Sequence, residues 1–277
     1  MKATLQPGRV LFAAAMIALG ITGLVNGDFA LVWQNVPAHV PGRTIIAYVC
    51  AVIELALGAG LLWRQTLMVT SRVLFPYMVL WLVLLEIPNV IHSPLDAGSW
   101  GSVGEIGIIT AGAWSLFAAQ AGARRARQRG FVAATPGVRA SRWLLVLTLP
   151  MIGAEVIVDA IQAGDKVMQP WLQVLPDPMA WAVLSGVGSI AACLALLSGI
   201  WPRLAATTEA AMLGLIAISY WGPDLYTGRT AITAFIISFL IAAGVWVVAD
   251  GYRDVAWLAT VRPLWKRGPT GVPVPEG

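Results

Sequence analysis

Charged residues are scarce in this chain. They make up 12% of its 277 residues, whereas 58% are hydrophobic, and a soluble globular domain usually has about 25% charged residues. Too few charges remain to cover a water-facing surface, so the composition excludes a soluble domain and favours an outer surface that faces lipid. The net charge of +4 comes from basic residues that lie between apolar runs. This spacing argues against a nucleic-acid-binding face, which would gather them on one side.

Cysteine and histidine are also rare, with two of each. Cys50 and Cys193 lie in apolar runs, and without a Cys-x-x-Cys pair they exclude a dithiol relay of the thioredoxin kind. Two well-separated histidines provide too few ligands for a strong metal site. No Gly-rich phosphate loop, nucleotide fingerprint or haem-attachment motif is present. We therefore expect both cysteines to be reduced, unpaired and buried as small apolar side chains.

Long apolar runs are what the sequence does contain. A spanning helix needs about 20 mostly apolar residues, and eight stretches qualify. They cover residues 10–25, 44–63, 73–90, 102–120, 143–161, 179–200, 205–221 and 230–249. The sequence therefore predicts an all-α fold, a polytopic transmembrane bundle of eight helices.

The basic residues indicate how these helices are oriented. Cytoplasmic loops carry an excess of Lys and Arg. If the N-terminus lies inside, 15 of the 18 basic residues fall in inner segments, and only Arg43, Lys166 and Arg229 fall outside. An even number of helices then returns the C-terminus to the same side. We predict a multi-pass protein with both termini in the cytoplasm.

The two halves of the chain resemble each other. A shift of 135 positions superposes several short motifs, and gaps of two or three residues extend the match. The matched pairs are Pro41 with Pro176, Ala47 with Ala182, Leu61-Leu62 with Leu196-Leu197, Pro88 with Pro223, Gly20 with Gly153 and Gly112 with Gly244. We predict four-helix units at 1–122 and 143–254, a basic cytoplasmic linker at 123–142 and a cytoplasmic tail at 255–277. Because each unit has an even number of helices, the repeat should be parallel rather than inverted.

Short motifs in each half resemble the DoxX-type membrane proteins, a family of bacterial four-helix modules. In the first half they are Val36-Pro37, Pro41-Gly42-Arg43, Ala47-Tyr48, Glu54-Leu55 and Gly58-x-Gly60-Leu61-Leu62. In the second half they are Pro176, Leu196-Leu197-Ser198-Gly199, Arg203-Leu204-Ala205 and Trp246-Val247-Val248-Ala249-Asp250. The resemblance covers nearly the whole chain apart from the linker and the tail.

The resemblance implies a place in a membrane redox system. DoxX-like proteins are associated with respiratory and oxidative-stress redox systems, and one relative is a subunit of a thiosulfate:quinone oxidoreductase. The family therefore implies a bacterial inner membrane and contact with a redox partner protein within the lipid bilayer. It leaves the cofactor unknown, with a quinone as the candidate. The second half departs from the first at the position of Glu54, where its equivalent is Ser189. Chemistry that needs this carboxylate is expected only in the first half.

Carboxylates inside the spans are the candidate functional residues. A charge at the bilayer centre costs about 2.5–3.5 kcal/mol on insertion scales, so such groups face the bundle interior or a cavity. From the predicted spans we take Glu54, Glu86, Glu105 and Glu155 as candidates. Desolvation favours the neutral form of a buried carboxyl group, which lets it take up and release a proton. We predict Glu54 and Glu86 as proton-carrying catalytic residues.

Nearby polar residues complete one predicted pocket on the outer side of the first half. Asn89 follows Glu86 by one helical turn, and His92 lies one step further along that side. With Glu105, these two are the predicted ligand-binding residues, in a cavity that also holds Glu54. The second half has fewer ionisable groups at depth and is expected to act as a structural partner.

The residues alone leave three functions open. The first is an accessory or subunit of a redox system, which follows from the resemblance. The second is a small-molecule or lipid transporter, which would use the carboxylates as coupling or binding groups and give proton-dependent flux in proteoliposomes. The third is a scaffold without catalysis, in which the carboxylates only form hydrogen bonds between helices and are replaceable without loss of function.

Overall fold

The computed structural model describes residues 6–129, 136–163 and 177–266. Within these ranges, eight helical segments are long and apolar enough to cross a membrane. The predicted all-α bundle of eight spans is therefore confirmed, and the chain is an integral membrane protein. Lys166, the centre of the predicted linker and the end of the predicted tail lie outside the described residues.

The spans are built from nine α-helices in the described residues. They are α1 (Pro7–Asn26), α2 (Arg43–Leu62), α3 (Leu67–Trp81), α4 (Ile87–His92), α5 (Ala97–Arg129), α6 (Pro136–Ala163), α7 (Pro178–Ser198), α8 (Pro202–Ile216) and α9 (Arg229–Asp250). Four begin on proline, whose fixed φ and missing N–H suit a first helical turn. Gly27 and Gly199, in the left-handed conformation at φ 61° and 76°, end α1 and α7. Because α5 and α6 extend to residues 129 and 136, the predicted linker is helical at both ends.

Helix packing follows the same order in both halves. In the first half α1 packs on α2, α2 on α3 and α3 on α5, and α6, α7, α8 and α9 repeat this order. The halves meet through two corresponding contacts, α1 with α9 and α5 with α6, and α5 also packs on α9. Burial agrees with this packing order. The spans of α5 and α9 are 67% and 72% buried, whereas the spans that contain α3 and α8 are each only 22% buried. Corresponding helices thus occupy corresponding places, while the division into two four-helix units stays a prediction.

Close contacts between individual residues recur with the predicted offset. A Cβ atom on Gly20 would lie 2.6 Å from the backbone nitrogen of Leu55, and one on Gly153 would lie 3.2 Å from the side chain of Ile190. These pairs match under the shifts of about 135 positions that relate the halves. The contact of the first helix with the second is therefore built on equivalent positions in each half.

Two matched glycines meet where α5 crosses α9. A Cβ atom on Gly112 would lie 2.7 Å from the Cα atom of Gly244. No side chain fits between two backbones at this distance, so glycine is required for the helices to cross. Gly112 and Gly244 are equivalent residues, so this crossing joins the same position of each half.

Both halves also contain a π-helical segment at the same place. Leu82–Glu86 joins α3 to α4, and Ala217–Trp221 follows α8 and leads into a 3₁₀ segment, Gly222–Thr227. Each segment is followed two residues later by a proline, Pro88 or Pro223. Proline has no N–H and clashes with the carbonyl four residues earlier, so the preceding turn widens to accommodate it.

The bundle has two distinguishable ends. At one, the start of α1 meets the end of α9, where the Gly8 backbone N–H donates a hydrogen bond of 3.1 Å to Asp250 Oδ2. We call this the termini end, and we call the opposite end, where α1 gives way to α2, the Asp28 end. That the termini end faces the cytoplasm stays a prediction.

Part of the predicted tail is a packed segment at the termini end. Residues 251–266 lie against the helix ends, where the Val261 N–H donates to the Gly199 carbonyl at 2.8 Å. Arg139 donates to the Leu264 carbonyl at 2.7 Å. These contacts link the tail to the start of α6 and to the end of α7.

Candidate functional site

The segment between α1 and α2 folds back into the bundle. Residues 27–42 connect the two helices at the Asp28 end, and the side chains of Phe29, Trp33 and Gln34 are at most 2% exposed. A connecting segment usually runs over the surface. Residues 27–42 lie over Glu54, which is itself only 2% exposed, and we call them the covering segment.

Glu54 on α2 is the most enclosed of the predicted site residues. Two donors converge on its Oε1 atom, Gln34 Nε2 at 2.7 Å and the Tyr77 hydroxyl at 2.9 Å. Gln34 is fixed in turn, because its Oε1 accepts a hydrogen bond of 3.0 Å from the Ala30 N–H. A buried carboxyl group thus has a defined orientation and partners on the covering segment and on α3.

Four aromatic side chains surround these hydrogen bonds. Trp81 makes edge-to-face contacts with Phe29, Trp33 and Tyr77, with ring centroids 6.0, 6.4 and 6.0 Å apart. The indole N–H of Trp33 is fully buried and has no acceptor among the described residues. We call this set the Glu54 group: Gln34, Glu54, Tyr77, Phe29, Trp33 and Trp81. It combines a carboxyl group, several donors and flat apolar surfaces.

An ion-pair cluster holds the covering segment in place. Asp28 pairs with Arg43 at the start of α2 and, at 3.0 Å, with Arg229 at the start of α9. Arg229 also donates to the Phe29 carbonyl at 2.5 Å. Burial opposes ionisation of the Asp28 carboxyl, but its hydrogen bonds from Arg229, Phe29 and Arg43 outweigh burial and hold its pKa below its usual range. Two of the three predicted outer basic residues are thus used in this cluster.

Glu86 ends the π-helical segment, and Asn89 and His92 lie on α4. Glu86 is 6% exposed, whereas Asn89 and His92 are exposed. His92 Nδ1 is 2.9 Å from the carbonyl oxygen of Pro88 in its own helix. Of these three residues Glu86 alone is buried, and its common face with Asn89 stays a prediction.

Glu105 and Glu155 face each other across the contact of α5 with α6. Glycines recur at every third position of α5, and a Cβ atom on Gly101 would overlap the Glu155 carboxylate. Glu105 is close enough to Glu86 and to Glu155 for electrostatic interaction. Asp96 extends the set, since Glu155 also interacts with it. We call Glu86, Glu105 and Glu155 the acidic group.

Asp96 itself begins α5 as an N-cap residue. Its Oδ2 accepts hydrogen bonds of 2.9 Å from both the hydroxyl and the backbone N–H of Ser99. These bonds hold the pKa of Asp96 below its usual range. A carboxylate in this position satisfies free N–H groups of the first helical turn.

The contacts assign the predicted carboxylates to two groups. Glu54 lies in the Glu54 group, and Glu86 and Glu105 lie in the acidic group. The covering segment encloses Glu54, and a single outer cavity that holds all three stays a prediction. Asn89 and His92 belong to neither group.

Glu209 on α8 is a buried carboxylate that sequence reasoning missed. It is 3% exposed and accepts a hydrogen bond of 2.8 Å from the Ser189 hydroxyl on α7. Ser189 is the equivalent of Glu54, and Glu209 occupies the position equivalent to Leu74. The second half thus has an ionisable group at the same helix contact as the first. Its place inside the predicted span 205–221 was the available signal.

Both cysteines are free and buried in the structure. Cys50 lies one turn before Glu54 on α2 and is 8% exposed. Cys193 is 7% exposed, and its Sγ is 3.1 Å from the Val146 carbonyl oxygen. This contact corresponds to that of Gly58, where an added Cβ atom would lie 2.8 Å from the Ala13 carbonyl oxygen. Cys193 therefore occupies a packing position.

Comparisons with protein-family models, with curated proteins and with solved structures find no match for this chain. The resemblance to the DoxX-type family rests on the short motifs of the sequence. What stands without it is an all-α integral membrane protein that contains the Glu54 group and the acidic group.

Proposed function

We propose that this protein is a component of a redox system in a bacterial inner membrane, with both termini in the cytoplasm, and that the Glu54 group binds the head group of a quinone. The family resemblance supports the redox role. The observation that carries the proposal is the buried carboxyl of Glu54, held by Gln34 and Tyr77 within an aromatic cluster. In this role the protein acts with a membrane partner that exchanges electrons with the quinone.

The residues of the Glu54 group fit such a ligand chemically. A quinone head group is a flat ring with two carbonyl oxygens, so it needs aromatic surfaces and hydrogen-bond donors. Trp33 has an indole N–H without an acceptor among the described residues, while Tyr77 and Gln34 donate to Glu54 and hold its carboxyl group in place. Small-molecule sites commonly combine apolar walls with a few such polar groups.

Glu54 has a specific role in this proposal. A quinol hydroxyl can donate a hydrogen bond to the Glu54 carboxylate and release its proton to it, whereas a quinone carbonyl cannot donate. Charge-assisted hydrogen bonds are roughly twice as strong as neutral ones. Glu54 should therefore favour the quinol over the quinone and hold a proton when the quinol is oxidised.

The test measures the binding of a short-tailed quinone and its quinol to the purified protein in nanodiscs, with quenching of tryptophan fluorescence as the signal. Glutamine keeps the size of Glu54 but has no negative charge, so Glu54→Gln should weaken quinol binding about tenfold, which equals about 1.4 kcal/mol. Quinone binding should change less than about twofold. Thermal stability should stay nearly unchanged.

Glu209→Gln is the matched control, because Glu209 is similarly buried and also accepts a side-chain hydrogen bond but lies in the other half. It should leave the binding of both forms unchanged. The proposal fails if neither form quenches fluorescence saturably in the wild type, or if Glu209→Gln reproduces the loss caused by Glu54→Gln.

Proton-coupled transport is the second candidate function, and the acidic group favours it. Glu86 is 6% exposed and lies close to the half-buried Glu105, which in turn lies close to the half-buried Glu155. Carboxylates at membrane depth mark proton and substrate pathways in many transporters. Flux in proteoliposomes that depends on a pH gradient and disappears in Glu105→Gln would support this function, while a silent Glu105→Gln would leave the acidic group a packing feature.

A further inference from the structure

The contact of α1 with α9 leaves a pocket open to the membrane at the Asp28 end. Its volume is about 240 Å³. Ile21, Val25 and Ile232 form its apolar part, and Thr22, Asn26 and Arg229 form its polar part. The apolar part is directed to lipid, since Ile21 is 49% and Val25 78% exposed. The pocket therefore joins a lipid-facing surface to a polar rim at the helix ends.

The corresponding place in the other contact between the halves is filled. There, α5 meets α6, and the Glu155 carboxylate lies against Gly101. The equivalent residues in the pocket are Thr22 for Glu155 and Thr233 for Gly101. A short hydroxyl side chain thus replaces a carboxylate, which leaves space and removes a negative charge.

The charge at the pocket is positive. Arg229 lies at its rim and Asp28 pairs with both Arg229 and Arg43, so two cations share one carboxylate. Among the described residues that line the pocket, none is acidic. The opposite sign holds at the equivalent place in the other contact, where Glu155 interacts with Asp96.

Arg229 still has donors to offer. Within the described part of the chain it donates to Asp28 and to the Phe29 carbonyl, which uses two of its five N–H groups. It is also the first residue of α9, where the helix dipole favours a negative charge. An anion at the rim would therefore meet unused N–H groups, the helix dipole and one excess positive charge.

We propose that this pocket binds an anionic phospholipid from the membrane leaflet at the Asp28 end. The phosphate lies at the rim beside Arg229 and Asn26, and the beginning of one acyl chain lies over Ile21 and Val25. A basic side chain near a membrane surface attracts anionic lipid, and a bound chain covers exposed apolar surface. The lipid would connect α1 to α9 and so join the two halves on the side that lacks the Glu155 contact.

Native mass spectrometry of the purified protein with added phosphatidylglycerol tests this site. Arg229→Gln removes the charge, and Thr22→Glu places a carboxylate where the other contact has one. Each should weaken the binding of phosphatidylglycerol roughly fivefold to tenfold, as expected for the loss of one basic contact at a membrane surface. Thermal unfolding of each variant checks that it is folded. If Arg229→Gln does not fold, Thr22→Glu alone tests the proposal.

Arg43→Gln is the matched control. Arg43 binds the same Asp28 carboxylate but does not line the pocket, so its replacement removes the excess charge, keeps the direct contact with Arg229, and should weaken lipid binding less than Arg229→Gln does. Equal losses in Arg43→Gln and Arg229→Gln would overturn the proposal, because the effect would then come from the ion-pair cluster.

Two further probes identify the ligand. Phosphatidylcholine should bind more weakly than phosphatidylglycerol, and inorganic phosphate alone should not compete, because it lacks the acyl chain. Equal binding of both lipids would contradict the charge argument, and full competition by inorganic phosphate would show an anion site instead of a lipid site.

Discussion

Replacing Gly112 by alanine adds one methyl group at the crossing of α5 with α9. The new carbon would lie 2.7 Å from the Cα atom and 3.1 Å from the carbonyl oxygen of Gly244. Carbon atoms in favourable contact are about 3.5–4.0 Å apart, so the two helices must separate by about 1 Å. Both contacts are with backbone atoms, and no side chain can rotate away to make room.

The expected cost is that of overpacking a well-packed interior, about 1–3 kcal/mol. For a chain of this size each kcal/mol lowers the Tm by about 2–4 °C, so Gly112→Ala should unfold roughly 2–12 °C earlier. The assay is thermal unfolding in mild detergent, followed by loss of the monodisperse peak in size-exclusion chromatography. Because α5 and α9 are the most buried spans, the effect should be global.

Gly214→Ala is the control for this variant. Gly214 also lies inside a helix, but its added Cβ atom would be 3.9 Å from the Ala242 Cβ, an ordinary contact. Alanine is the better helix former by about 1 kcal/mol, so this variant should be as stable as the wild type or more stable. If Gly112→Ala behaves like Gly214→Ala, the two helices do not cross at these glycines.

Three further predictions concern stability. Since the folded-state pKa of Asp28 is lowered, its ion pairs stabilise the fold fully above the unfolded-state pKa of about 3.9 and lose that contribution as pH falls through the folded-state pKa. Asp28→Asn should therefore have a lower Tm at pH 6 and should lose this part of the acid sensitivity. An unchanged dependence of Tm on pH in Asp28→Asn would contradict this prediction. Ser189→Ala leaves Glu209 without its hydroxyl donor and should cost about 1–3 kcal/mol in unfolding experiments, a cost that a silent variant would disprove. Gly101→Ala must displace the Glu155 carboxylate, but this flexible side chain can move. The Tm of Gly101→Ala should therefore fall less than that of Gly112→Ala.

The eight spans could be predicted from the sequence because a spanning helix needs only length and apolar composition. The repeat is predicted for a related reason. Close helix contacts need small residues at fixed places, and Gly112 and Gly244 occupy equivalent positions in the two halves. The contact of α1 with α9 could not be read in this way. Which neighbour a helix packs on depends on the whole bundle, and the apolar surface of a span does not identify it.

The covering segment was the largest difference at the candidate site. Gln34 and Trp33 lie in a connection between spans, where sequence reasoning expects solvent or the membrane interface. Their burial depends on contacts with residues distant in the chain, such as Tyr77 on α3. Glu54 was recognised from its depth alone, but its partners on the covering segment required the fold.

The two halves together separate what packing needs from what Glu54 adds. In the second half Ser189 and Glu209 make one hydrogen bond of 2.8 Å between α7 and α8, the equivalents of α2 and α3. In the first half the carboxylate is on the other helix of the pair, and it has two donors, a covering segment and four aromatic rings around it. A helix contact alone does not require these additions, since Ser189 and Glu209 form one without them. The excess of donors and aromatic surface at Glu54 is therefore the reason to seek ligand binding in the first half, with Glu209 as the structural reference against which each Glu54 variant is measured.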